Sequence, residues 1–555
     1  MTALNRTGAR PYRAGAQTAP LTGSGGSSPA STRPVVGRPA MLSASIIGLA
    51  FVASRIIGLT REILLADRFG LGDQLDAYVA AFRIPDLLFL GIMSVAFGAA
   101  FIPVFGGFLA RDEPDKAWRL ASAVIMVSTV VTVAMCVLVF IFATPIMRHV
   151  VARGLPESAV PDAVATTRIL LLSPILIGLG IAAKGMLESQ DVFTPSALAP
   201  VVYNVATIAG ILLLAPSLGI KGVAIGAVVG AGLHAAVQLP SLLRTGLRLH
   251  AVRNPLAVEG VGEVLRLLGP RVIGQAAFQI NFIWISSLAI TAGSGEASGL
   301  SFAWQMLMLP HGLIALSIST VIFPKMARQF ELKRLDQVRD TFGQALTPLL
   351  FLMIPASVGL FVFRTAIVRA VLEHGNFTAA DTRTVSQAVG FLGLGLVWYG
   401  IVEVVTRIFY AMKDTRTPVM AGIVIIAVNI VLAWVLVDDY GAAGLALGLT
   451  ISTGIEALIL MAILRRRLGG FGDAFAGWLG KVLLATAAMA GMAALAVPKM
   501  ERAVTLGDLG QIQTAVALAY TAGLVGATYL AVAWLLKIPE AVRIERVVMH
   551  RLGRP

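Results

Sequence analysis

Two short arginine-bearing segments are the first places in this chain where chemistry could occur. One reads SRIIGLTRE and carries Ser54, Arg55, Arg61 and Glu62; the next carries Asp76 and Arg83. Arg55 and Glu62 lie seven residues apart, as do Asp76 and Arg83, so each pair shares a helix face. Pro85 opens the backbone ladder just past Arg83. The surroundings are apolar. An ionised group near a bilayer centre costs roughly 2.5–3.5 kcal/mol on insertion scales, so it faces a hydrated cavity or a partner. A guanidinium keeps its charge and grips phosphate oxygens with a planar fork. Arg55, Arg61 and Arg83 around one cavity would attract a diphosphate. The competing reading makes Arg55–Glu62 and Asp76–Arg83 structural ion pairs and lets Arg61 snorkel to the interface.

Other polar groups signal less. Lys184 and Arg407 sit at matching places near span ends, where snorkelling accounts for them, and Glu403 lies one turn before Arg407. Arg271 opens the seventh apolar run, where it would meet a ligand entering from the cytoplasm or a lipid phosphate. Gln279 and Asn281 read as bonds between helices, and His234 and His311 have no metal-binding companion at helical spacing. No nucleophile–base pair, phosphate-binding glycine loop or zinc pattern occurs, so neither a catalytic residue nor a metal or cofactor is expected.

The elements that must position these groups are membrane spans. Of 555 residues, 57% are hydrophobic and 13% charged, against about a quarter charged in soluble domains. Mean hydropathy is +0.83. Apolar runs of roughly 20 residues, the length that crosses a bilayer, recur about fourteen times, from 42–64 and 77–105 to 478–497 and 512–536. Residues 1–40, rich in Ser, Gly and Pro with arginines and no acid, read as a disordered basic cytoplasmic tail. The net charge of +14 is spread over short loops and not along one stripe, which points away from nucleic acid. Alternate loops hold Arg111, Lys116 and Arg119, then Arg244 and Arg248, then Lys325 to Arg339, then Lys413 and Arg416, then Arg465 to Arg467. That alternation predicts both termini in the cytoplasm, and the basic tail 541–555 agrees. The one cysteine, Cys136, permits no disulfide within the chain.

The sequence also resembles itself at a shift of about 222 residues. AFRIP at Ala81–Pro85 answers to AWQML at Ala303–Leu307, which sets Gln305 against Arg83; the segments ending TP at Pro195 and Pro418 match; GVAIGAVVGAG from Gly222 answers to GLALGLTISTG from Gly444. The interval holds six spans. Two six-helix lobes, 41–245 and 246–470, are therefore expected to be pseudo-symmetric, with the last two spans in 471–540 outside the repeat. Transporters built from such repeats hold substrate between the halves.

SRIIGLTREILLADRFG, then DAYVAAFRIPDLL with AFIPVF, then LEHGNFTAADT at Leu372–Thr382, then DTRTPV at Asp414–Val419 resemble the MurJ/MviN family of the MOP exporter superfamily. The likeness runs from about residue 41 over nearly all of the chain. It implies a lipid II flippase in the bacterial inner membrane, with a cationic cavity for the diphosphate-sugar head group and a groove at the last two spans for the polyprenyl tail. Ser54, Arg55, Arg61, Glu62 (usually Asp in the family) and Asp76 match the family's motif on the first two spans, and Arg83 matches a basic position of it. Two departures stand out. Phe89, Leu90, Ser94 and Val95 replace an arginine pair and a Glu-Gly, and Trp304-Gln305 replaces an Asp-Arg. The second removes a charge from the eighth span, leaving Arg271 or another group to compensate.

Three other readings compete: a flippase for another polyprenyl-linked glycan, a cation-coupled multidrug antiporter, and a non-transporting scaffold for cell-wall synthesis proteins. An antiporter would favour acids in its cavity, and a scaffold leaves the intramembrane arginines unexplained.

Overall fold

Apolar runs form the helices, and several of these start at a proline. In this computed structural model residues 38–94, 96–469, 473–506 and 511–551 are described. The amino-terminal tail up to residue 37, Val95 and the last four residues lie outside them. Among the described residues there is no strand. The principal helices are α1 (Arg38–Phe69), α2 (Asp73–Leu88), α3 (Pro114–Ile141), α4 (Leu172–Glu188), α5 (Thr194–Ala209), α6 (Ile220–Ala236), α7 (Val261–Ala292), α8 (Glu296–His311), α9 (Leu335–Val362), α10 (Ala379–Ala411), α11 (Arg416–Leu468), α12 (Asp473–Leu506), α13 (Gln511–Leu535) and α14 (Pro539–Arg551). Proline stands in the first turn of α3 and α5, where its missing N–H costs nothing. The NFTAAD stretch supplies a full cap for α10. Asp381 N–H donates to Thr378 Oγ1 at 3.4 Å, and the Thr378 N–H donates back to Asp381 Oδ2 at 2.7 Å.

Eleven of the described helices are long and apolar enough to cross a membrane, or twelve if the bent pair Val261–Gly269 and Gly274–Ala292 counts as one span. About fourteen were expected. Arg416–Leu468 enters this count once although it is two limbs meeting at Gly441, and α1, with Arg55, Arg61, Glu62 and Arg68 along it, is not among the eleven.

The internal repeat is visible in the backbone. Gly219 has φ 58 and ψ −139, and Gly441, one repeat interval later, has φ 54 and ψ −135. Only glycine adopts that region readily. Asp191 and Lys413, also one interval apart, both have positive φ, 59 and 61. The helices after these glycines pack back tightly. A Cβ on Gly222 would lie 2.5 Å from the Leu214 carbonyl carbon, and one on Gly444 would strike the Leu436 carbonyl oxygen. Small residues allow this approach where no hydrophobic effect drives helices together. A π-helical stretch also recurs, at Phe89–Ser94 and Gly312–Leu316, each just after a proline, Pro85 and Pro310.

The described residues from Ile46 onward form one packed unit. Within it α5 packs on α6, α10 on α11, and α2 on both α7 and α8, which joins the two repeats. Asn429 donates to Asn281 Oδ1 at 3.1 Å and accepts from Ser452 at 3.3 Å, a buried polar link between α7 and the two limbs of α11. Outside the repeat, α12 and α13 lie against α9, where the Tyr529 hydroxyl donates to the Phe351 carbonyl at 2.7 Å.

Candidate functional site: a cationic cavity between the repeats

α1 carries Ser54, Arg55, Arg61 and Glu62 along one side because their spacing keeps them within a narrow arc of the helix. That side lines a cavity of about 670 Å³, whose other walls are Lys184 and Glu188 of α4, Phe193, Tyr203 and Asn204 in and before α5, and Gln305 and Leu309 of α8. Three walls come from the first repeat and one from the second. Arg61 pairs with Glu62 and donates to Asn204 Oδ1 at 3.1 Å, while Gln305 Nε2 reaches the same Glu62 oxygen at 3.2 Å. The pair is only 20% and 13% exposed. Arg55 reaches across to the π-helical turn of the second repeat, with NH2 3.4 Å from where a Cβ on Gly312 would stand. Lys184 lies 3.8 Å from Glu188. The cavity thus holds three cations and two carboxylates, a net positive lining.

Glu62 is held by its neighbour Arg61 and by Gln305. Arg83 is not in the cavity lining. Its Nε donates to Ser286 Oγ at 2.7 Å and its guanidinium lies 5.7 Å from the Phe282 ring centre. Its side of α2 faces α7, so Arg83 and its repeat partner Gln305 do not confront each other across the cavity. Asp76 is 1% exposed and does not pair with Arg83. Its two oxygens accept the backbone N–H groups of Gly295 (2.7 Å) and Ser298 (2.8 Å), capping the positive end of α8. The side chain of Arg271 lies outside the described residues. Glu403 does pair with Arg407, at 2.8 Å.

The Asp76 cap belongs to a seam. Glu296, in the first turn of α8, accepts from Ala442 N–H at 2.6 Å and so caps the second limb of α11. Asn376 of the HGNF loop donates its backbone N–H to Asp67 O at 2.9 Å and its side chain to Arg68 O at 2.7 Å, fastening the end of α1. Arg153 donates to Ser287 Oγ at 3.1 Å. The Asp76, Asn376 and Arg153 contacts and Arg83–Ser286 join the two repeats. Sequence reasoning missed Lys184, Glu188 and Asn204 as cavity residues. Snorkelling does not account for Lys184; the signal is Glu188 one turn away, which turns both toward a polar space.

Aromatic packing holds α8 at Trp304. Trp304 makes edge contacts with Phe282 (5.0 Å) and Tyr399 (5.6 Å), binding α8 to α7 and α10.

A many-span helical protein with an internal repeat and a charged cavity between the repeats is a membrane transporter. Its fold is that of the MOP superfamily. An inward-facing multidrug-resistance MATE transporter of that superfamily superposes with TM-score 0.64 at 17% identity, over 75% of this chain and 95% of that one. A structure titled "Lipid II flippase MurJ, inward closed conformation" superposes with TM-score 0.72 at 25% identity, over 88% of this chain and 98% of that one. The sequence profile described as "Lipid II flippase MurJ" matches residues 65–513. The lipid II flippase MurJ of Burkholderia cenocepacia is 31% identical over 77% of this chain and 83% of its own length. The probable lipid II flippase MurJ of Vibrio cholerae is 28% identical over 91% and 97%. The chain belongs to the MurJ family, and it is a multi-pass protein of the bacterial inner membrane.

Proposed function

We propose that this protein moves lipid II from the cytoplasmic to the outer leaflet by alternating access, with both termini in the cytoplasm. The observation that carries this reading is the net positive cavity between the repeats of a chain in this family. The diphosphate engages Arg55 and Arg61, whose forks suit paired phosphate oxygens, while Ser54 and Gln305 donate hydrogen bonds. Glu62 holds Arg61 in place until the phosphate competes for it. Lys184 supplies the positive charge that the eighth span lacks, and Arg271 stands at the cytoplasmic entry. Asp76 and Arg83 act as positioning residues on the seam, which seals the outer side. The polyprenyl tail lies in an apolar groove of about 480 Å³ lined by Pro310, Phe363, Met489, Leu518 and Tyr529, between α8, α9, α12 and α13. The two lobes 41–245 and 246–470 rock about the cavity. Cell-wall synthesis proteins on the outer face receive the product.

The cation excess speaks against a multidrug antiporter, which would need free acids to hold cations. Depleting the protein and measuring lipid II in each leaflet tests the proposal. Lipid II should build up in the cytoplasmic leaflet. An unchanged leaflet distribution overturns it.

A further inference from the structure

Glu456 lies near the middle of the second limb of α11, 442–468, inside an apolar span. Among the described residues no Lys, Arg or His pairs with it, and no hydrogen bond holds it. On the first limb of α11 it lies beside Gly422, where a Cβ would stand 3.8 Å from Oε1. From α10, Tyr399 faces it, and the buried Tyr399 hydroxyl lies between it and Thr453. One turn before Glu456, Ser452 belongs to the neutral Asn281–Asn429 link. The nearest charged groups on α10 are Glu403 and Arg407, which bond each other. From α8, His311 reaches the Tyr399 backbone and lies near Glu403 and Arg55. A bare carboxylate at that depth is costly, and none of these groups offsets the cost. A neutral carboxyl is not.

The repeat makes the position more than an accident. One interval earlier, in the helix that follows the equivalent glycine, stands His234, whose Nδ1 is buried without a hydrogen-bond partner. Both repeats thus place a protonatable side chain at the same depth of the same helix.

We propose that Glu456 is an intramembrane proton-binding site that couples lipid translocation to protonation, an inference that rests on the flippase reading. A proton passes from cavity water, past His311 and the Tyr399 hydroxyl, to a carboxylate oxygen of Glu456. It returns to water when a second conformation exposes the carboxyl. Neutral Glu456 is compatible with the closed packing of α10 against α11; ionised Glu456 favours a conformation that hydrates it.

The test uses the full chain in proteoliposomes and two readouts. In infrared difference spectra the wild type should show a neutral-carboxyl band that is lost on raising the pH and is missing in Glu456→Gln. Tyr399→Phe, which keeps the carboxyl, should move the midpoint of that loss. In a lipid II leaflet assay, wild-type flipping should respond to an imposed pH gradient by up to about tenfold per pH unit, as a single-proton step allows. Glu456→Gln should lose that response while binding polyprenyl diphosphate as the wild type does. A band that survives in Glu456→Gln, a carboxylate ionised at every pH from about 5 to about 9, or a full pH-gradient response in Glu456→Gln overturns the proposal. If no variant, nor the wild type, flips lipid II, the flippase reading fails, and the infrared titration still decides whether Glu456 binds a proton.

Discussion

Arg61 has its guanidinium occupied by Glu62 and Asn204, whereas Arg55 spans to the second repeat. Both should matter, through different partners. Arg55→Ala and Arg61→Ala are expected to abolish rescue of a flippase-depleted cell at near-normal protein levels. The lysine replacements should rescue only in part, because an ammonium cannot fork onto a diphosphate. Growth supported by both alanine variants would sink the cationic-site reading. Gln305 faces the same cavity, so Gln305→Arg should be tolerated: water can hydrate the new charge, and Glu62 stands beside it. Loss of that variant from the membrane, seen on an immunoblot, would show that position 305 is dry. Asp76 is a different kind of residue. Asp76→Ala leaves two buried N–H groups without acceptors, which should cost about 2 kcal/mol or more and lower the melting temperature in detergent. An unchanged melt would mean that water replaces the cap.

At the scale of elements, two equivalent glycines should respond unequally. Alanine at either position is strained by the positive φ, at roughly 1–3 kcal/mol. At Gly219 no other atom lies within 4 Å of the added Cβ, but at Gly441 it would stand 2.8 Å from Glu296 Oε2. Gly441→Ala should therefore reduce thermal stability more than Gly219→Ala, and equal losses would remove the Glu296 cap from the account. The start of α11 is held by Asp414, which accepts from the Thr417 N–H (3.0 Å) and hydroxyl (2.6 Å) and from Arg467 (2.6 Å) at the far end of the second limb. Burial pushes this carboxyl up, but the Thr417 bonds and Arg467 outweigh burial and hold it at about 2. Its folded value lies below its unfolded one. The stabilisation is therefore complete above about pH 4 and fades as pH falls through about 2. Asp414→Asn should lower the melting temperature at neutral pH, and the difference from the wild type should vanish toward pH about 2. A constant difference would refute the charge argument. Much of this level was legible in the sequence. Apolar length placed the helices, and the matched TP and glycine segments announced the repeat. The side on which Arg83 faces was not legible. Spacing says which residues share a face, but only packing against α7 says what that face meets.

For the molecule as a whole, the charge alternation predicts topology. Reporter fusions after Arg334 and Arg466 should read cytoplasm, and one near Gly375 should read outside; an outside signal at Arg334 would reverse the orientation. If Gly375 is outside, the HGNF loop and the carboxylate caps at Asp76 and Glu296 all lie at the outer end. The Asp76, Glu296 and Asn376 contacts there tie carboxylates and a side-chain amide to helix ends and backbone. Such a closure yields only when several bonds break together. A bacterium's inner membrane must keep its electrical and chemical gradients while a large head group crosses it. A cooperative closure of this kind keeps the idle protein from becoming a leak.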